Sequence, residues 1–135
     1  MIYLLDSNTC VAYLRKPLAV IAHKLLATPP TDVALSAITA VELYRGAHLS
    51  AKVAENLAKV ATLISRFTTL PLDTPTAEIA GRIDAALARQ GLRIGPYDAL
   101  IAAIALAHDL TLVTHNTREF GRVAGLRLED WEAAP

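Results

Sequence analysis

The chain opens on a nearly unbroken apolar run, Met1-Ile-Tyr-Leu-Leu5, closed by Asp6. Continuous rather than alternating, it predicts a fully buried strand over residues 2–5. Ser7-Asn8-Thr9 offers helix caps before the apolar stretch Val11-Ala-Tyr-Leu14. Pro17 interrupts, and a second helix is expected from Ala19 to Leu26, stopped by Pro29-Pro30. Val33-Ala-Leu35 predicts a short second strand, followed by a helix from Thr39 to Leu49. Another helix is expected over Ala51 to Phe67, where Val53, Leu57, Val60 and Leu63-Ile64 recur at helical spacing. Leu70-Pro-Leu72 is a weak strand candidate. The next helix starts with Asp73 or Thr74 as cap and Pro75 in the first turn, runs to Arg89 and stops near Gly91. Gly95-Pro96 opens a further helix that ends around His108-Asp109, and Leu110 to Thr114 is the strongest later strand. A last short strand is expected at Leu126-Arg-Leu128. Strands alternating with helices predict an α/β fold with a mainly parallel sheet. In such sheets, sites form beyond the carboxyl ends of the strands, where strand order reverses.

Composition narrows this picture. The 135 residues predict one domain, 1–135, and with 53% hydrophobic but 5% aromatic residues its core must be built from Ala, Leu, Ile and Val. Thirteen basic residues balance thirteen acidic ones, so no global charge argues for nucleic-acid binding. An RNA substrate stays open, because a catalytic metal would supply positive charge outside that count. Cys10 is the only cysteine, which excludes an internal disulfide and a four-cysteine zinc site. With no secretory pattern at the start, a cytoplasmic location is expected. The run Ala99 to Ala107 is about half of what a membrane span needs and reads as a buried helix.

Against this background the acids stand out. Asp6, Glu42 and Asp98 all sit at or near helix starts, two of them after apolar strands. Each has an ordinary structural role available. Asp6 can cap a helix, Thr39-Ala-Val-Glu42 matches a capping box, and Asp98 in a first turn suits the helix dipole. Their flanks add something. Asp6 leaves a dry strand, Asp98 precedes an almost uncharged helix, and Arg45 lies three positions after Glu42 on the same helical face. Acids far apart in sequence but equivalent in structural position suit a hard cation such as Mg²⁺ or Mn²⁺. A fourth group follows the last long strand: Thr114 and Asn116 offer polar support, and Glu119 another carboxylate. His23, His48 and His108 fit helix surfaces or ends. His115 lies near the expected site without a second histidine at ligand spacing.

The segments LLDSN, SAITAVELYRGA, GPYDALIAAIA and LVTHNTREFGRV, in that order, resemble the PIN-domain ribonucleases. Within that group they resemble the VapC toxins of VapBC toxin–antitoxin pairs, over essentially the whole chain. The resemblance implies a PIN-like three-layer domain, with a central parallel sheet of four to five strands flanked by helices. It implies Mg²⁺- or Mn²⁺-dependent cleavage of RNA, with Asp6, Glu42 and Asp98 as principal acids. Relatives commonly carry aspartate at the place of Asn116, so Glu119 is the expected fourth ligand. The implied substrate is tRNA, including initiator tRNA in the anticodon stem-loop. The implied partners are a small VapB antitoxin and a second copy of the chain, and no membrane. In this reading Glu42 helps take a proton, while Arg45, Arg93 and Arg118 are candidates for RNA or antitoxin contact. Two other classes compete: a haloacid-dehalogenase-like phosphotransferase with Asp6 as nucleophile, and a non-catalytic partner-binding domain whose acids are only caps.

Overall fold

A computed structural model describes residues 1–16 and 20–133. Five strands, β1 (Tyr3–Leu5), β2 (Val33–Ser36), β3 (Thr68–Leu70), β4 (Thr111–Val113) and β5 (Leu128–Glu129), form one sheet in the order β3-β2-β1-β4-β5. Every pairing is parallel. The chain builds outward from β1 to β3, then returns to the other side of β1 for β4. Strand order therefore reverses between β1 and β4, which opens a crevice at their carboxyl ends. The expected α/β class and strand number hold.

The side-chain alternation of the strands divides the core in two. Leu4, Ala34 and Leu112 face helices α5 (Thr74–Arg89) and α6 (Pro96–Ala107) and the short α7 (Thr117–Phe120). Leu5, Val33, Leu35 and Val113 face α1 (Ser7–Arg15), α2 (Val20–Ala27), α3 (Ala37–Leu49) and α4 (Val53–Ser65). The result is the three-layer arrangement expected. In α6, Ala99 and Ile101 to Ala105 are all buried. The predominance of alanine lets this helix lie close against the sheet and fixes its N-terminal turn at the crevice. Among the described residues no helix is long and apolar enough to cross a membrane.

Several boundaries differ from expectation for identifiable reasons. β3 is Thr68–Leu70 rather than 70–72, because Pro71 cannot donate a ladder hydrogen bond. β5 begins at Leu128, two residues later than expected. The predicted break at Pro17 and helix start at Ala19 lie outside the described residues, and α2 is observed from Val20. Asp73, not Thr74, caps α5, taking the Thr76 N–H at 3.0 Å. The helix closes at Gly91, whose φ of 68° suits glycine, with the Leu92 N–H donating to the Leu87 carbonyl at 2.9 Å.

Candidate active site

Asp6 leaves β1 at the crevice and its N–H donates to the Val113 carbonyl of β4 at 3.0 Å. The side chain caps α1: Oδ1 accepts the Thr9 N–H at 2.8 Å. Its other oxygen, Oδ2, accepts the Thr114 hydroxyl at 2.6 Å. Thr114 follows β4 and is fully buried, and the Thr9 hydroxyl donates to the Val113 carbonyl at 3.1 Å. The capping role read from the sequence is real, yet it uses only one of the two oxygens. Asp6 is only 3% exposed, and burial raises its pKa against the opposing pull of the Thr114 and Thr9 hydrogen bonds.

Glu42 is not the partner in a capping box. Ser36, the last residue of β2, is the N-cap of α3 and takes the Thr39 N–H at 2.9 Å. Glu42 therefore lies a turn inside the helix. Its Oε1 accepts the Ser7 hydroxyl at 2.6 Å. The Ser7 and Thr39 hydroxyl oxygens lie 3.1 Å apart, and those of Ser36 and Thr39 3.2 Å apart. Each hydroxyl has one proton. With Ser7 donating to the carboxylate, the remaining contacts are met if Ser36 donates to Thr39 and Thr39 to Ser7. This chain of hydroxyls joins the ends of β1 and β2 and aims Glu42 at the crevice.

Asp98 lies in the first turn of α6, behind Gly95 as N-cap and Pro96. A Cβ added at Gly95 would lie 3.4 Å from the Asp98 carboxylate, which is thus folded back against its own N-cap. Its pKa is pushed up to about 6 by burial first, and then by the charges of Glu42, Asp6 and Glu119. The four acids named from the sequence thus share one electrostatic field. Glu119 lies in α7, and its Oε2 accepts the Asn116 side-chain amide at 3.2 Å. The Asn116 N–H in turn donates to Thr114 Oγ1 at 3.0 Å. Asn116 is thereby an orienting group for Glu119, tied through Thr114 to Asp6.

Among the described residues, no ion pair to Lys, Arg or His engages Asp6, Glu42, Asp98 or Glu119. Like charges held together without a counter-ion are costly, and an all-oxygen donor set suits a divalent cation of the magnesium type. The four acids are not drawn into a tight cage, however. The group of described residues whose candidate ligand atoms all lie within 4.8 Å of one another is His115, Asp130 and Glu132. His115 Nδ1 and Asp130 Oδ2 are 2.9 Å apart, and this hydrogen bond, with the charge of Asp130, raises the histidine pKa. The sequence reading missed this pairing; its signal was the acidic ending around buried Trp131. It named Thr114 but missed the serine and threonine network, whose signal was a hydroxyl residue at the ends of β1, β2 and β4: Ser7, Ser36 and Thr114.

The arginines expected at the site fare differently. Arg93 is held by Asp84, with Nε and Nη2 at 3.1 and 3.2 Å from its two oxygens. Arg45 and Arg118 are exposed, and no ion pair joins Arg45 to Glu42 among the described residues. Cys10 is buried and its thiol pKa is raised by burial, so it is an inert core residue.

Comparison with known proteins gives this geometry a context. The family model described as PIN domain matches residues 3–126. The tRNA(fMet)-specific endonuclease VapC of Salmonella typhimurium is 42% identical over 130 residues, covering 96% of this chain and 97% of the relative. Ribonuclease VapC2 of Rickettsia felis is 35% identical over 133 residues, covering 98% and 99%. Among solved structures, a crystal structure of DNA-bound VapBC from Salmonella typhimurium superposes with a TM-score of 0.92 at 40% identity, covering 97% of this chain and 98% of that one.

Proposed function

The chain belongs to the PIN-domain family, and on that footing we propose that it is a metal-dependent endoribonuclease toxin cutting initiator tRNA in the anticodon stem-loop. The observation that carries the reading is the field around Asp98: burial and three like charges converge on it, with no ion pair among the described residues to relieve them. The substrate class rests on the relative whose name specifies tRNA(fMet). The VapBC structures support a VapB-type antitoxin as the partner that restrains the activity. A second copy of the chain is expected to join that assembly.

Asp6 and Asp98 would hold Mg²⁺ or Mn²⁺, with Glu42 and Glu119 completing the acidic ring. When bound, the ion lowers the pKa of a water and offsets charge on the phosphate oxygens. The chain's own residues do the positioning. Ser7 aims Glu42, Asn116 aims Glu119, and Thr114 fixes the Asp6 oxygen not used by the α1 cap. Glu42, held by the Ser7 hydroxyl and left out of the pair assigned to the ion, is the acid placed to take the proton from water.

A haloacid-dehalogenase-like site requires a second acid two residues after the first. That position is Asn8, and the family match leaves the idea without support. A binding domain whose acids are only caps fits poorly with Glu42, which caps nothing.

The test is end-mapping of initiator tRNA incubated with the purified chain, freed of antitoxin, in Mg²⁺ or Mn²⁺. One dominant cut in the anticodon stem-loop is expected, and it should vanish on chelation. Intact tRNA under both ions would refute the proposal. A second expectation concerns Thr114→Val, which keeps the side-chain shape and removes the hydroxyl on Asp6. Outer partners of metal ligands are typically worth about 10–100-fold in affinity. The Mg²⁺ concentration for half-maximal activity should rise by about that factor, while activity at saturating Mg²⁺ recovers most of its value.

A further inference from the structure

The arginines singled out from the sequence leave open how a polyanion approaches four carboxylates. A cavity of about 480 Å³ beside the acids supplies an answer. One wall is a single face of α1, where Asn8, Val11, Ala12, Arg15 and Lys16 recur at three- and four-residue spacing; His115 and Asn116 lie opposite, with Glu132 also on the lining. Among the described residues neither Arg15 nor Lys16 has an ion-pair partner. Both are exposed at the C-terminal end of the helix.

The two ends of this cavity differ in chemistry. At the inner end, Asn116 is tied through Thr114 to Asp6, so this end abuts the acidic crevice. Asn8 stands beside it, exposed, and among the described residues its side chain makes no hydrogen bond within the chain. An amide of this kind presents a donor and an acceptor together, the pattern that meets a base edge. Val11 and Ala12 form an apolar floor between the ends. Arg15 and Lys16 lie roughly 10 Å further along the helix, from its rise of about 1.5 Å per residue. The volume is that of a small-ligand site. A groove on the other side of α1 shares Val11 and Arg15 and is walled by Leu14, Leu43, Ala47 and Val60, with Glu42 and Lys59 also on its lining; it has no amide pair like Asn8 and Asn116.

Resting on the ribonuclease reading above, we propose that this cavity is the subsite for the nucleotide adjoining the scissile phosphate of single-stranded RNA. Arg15 and Lys16 grip its phosphate, and Asn8 and Asn116 meet its base edge. Charge makes the assignment specific. The acidic crevice repels an RNA backbone wherever the metal does not neutralise it, so the strand must be drawn in by cations outside the acid ring. Arg15 and Lys16 are cations in that position with no ion pair holding them among the described residues. Glu132, on the same lining, is turned towards the His115–Asp130 pair.

Two readouts test the subsite. The first is binding of a labelled single-stranded RNA oligonucleotide to the full chain carrying Asp98→Asn, with and without Arg15→Gln and Lys16→Gln together. The pair should weaken binding by roughly 10- to 100-fold. It should also flatten the dependence of log affinity on log salt by about 0.7, the value of one single-strand phosphate contact. The second readout uses the chain with Asp98 intact: the double variant should raise KM much more than it lowers kcat, whereas Asn8→Ala should relax base preference next to the cut and leave the salt slope alone. Unchanged affinity and slope in the double variant, with its fold verified by melting, would overturn the subsite. So would RNA binding that survives while a co-purified antitoxin is released, because the cavity would then dock a protein. Failure of the ribonuclease reading is separate: it is a chain with Asp98 intact that cuts no RNA in Mg²⁺ or Mn²⁺, and the binding readout judges the cavity even then.

Discussion

Replacing Asp98 by asparagine is expected to lower RNA cleavage by roughly 10³-fold or more, a loss of about 4 kcal/mol in transition-state stabilisation. The change is nearly isosteric, and the turn that carries Asp98 is set by Gly95, Pro96 and the buried alanines after it rather than by the carboxylate. The fold should therefore survive. What would disappear is the negative charge proposed to hold the cation together with Asp6. Initiator tRNA, sampled over time at saturating Mg²⁺, is the measurement. Retention of more than about a tenth of the cleavage rate would remove Asp98 from the machinery and the site with it.

How much of this site could be read from the chain depends on what fixes each residue. Asp6 was legible because an uninterrupted apolar strand can end only at the edge of the core, and the polar residue there must face the crevice. Asp98 was legible for the related reason that the helix after it has no polar side to turn outward. Glu42 was named for the site, and the capping box that offered it an ordinary role is not formed. The sequence contains two overlapping cap patterns, Ser36-Ala-Ile-Thr39 and Thr39-Ala-Val-Glu42. Local spacing cannot choose between them. The parallel register of β2, which carries Ser36 to the end of the strand opposite Leu70, selects the first. Glu42 is thereby freed from the cap and bonded to Ser7, 35 residues away.

The contacts between distant segments were not legible at all. Nothing local in Thr114 announces a hydrogen bond to a residue 108 positions earlier. That bond follows from β1 and β4 being neighbours, with Leu5 paired to Val113. The pairing of His115 with Asp130 likewise follows from β4 and β5 lying side by side. The partner of Arg93 was hidden for the same reason. Arg93 sits close to Asp98 in sequence, yet a bidentate contact to Asp84 on α5 holds it on the surface. Asn116 is different: named for polar support, it donates its amide to Glu119, the acid expected as fourth ligand. The asparagine thereby orients the carboxylate three residues later.

In chelator at pH 7.5 the Asp98→Asn protein should melt above the unaltered chain, and Mg²⁺ should reverse the order. A carboxyl with an unfolded pKa of 3.8 and a folded pKa of about 6 binds more protons folded than unfolded between those values. Stability therefore falls as pH rises through that window, and the full penalty persists above pH 6. Taken whole, the shift corresponds to about 3 kcal/mol. Asp98 is only partly buried and screened by solvent, so about 1 kcal/mol is the realistic cost. That predicts a gain of roughly 3–5 °C for the asparagine variant without metal. At pH 5 the gain should shrink, because the native carboxyl is then mostly protonated. Mg²⁺ acts in the opposite direction on the unaltered chain: at ten times its Kd, binding adds about 1.4 kcal/mol. The variant, lacking the charge, should show little of that shift. Melting curves of both proteins at the two pH values, in chelator and in Mg²⁺, decide the matter. A variant no more stable than the unaltered chain in chelator would mean that the four acids do not strain one another. Equal Mg²⁺ shifts in the two proteins would mean that Asp98 does not help to hold the ion.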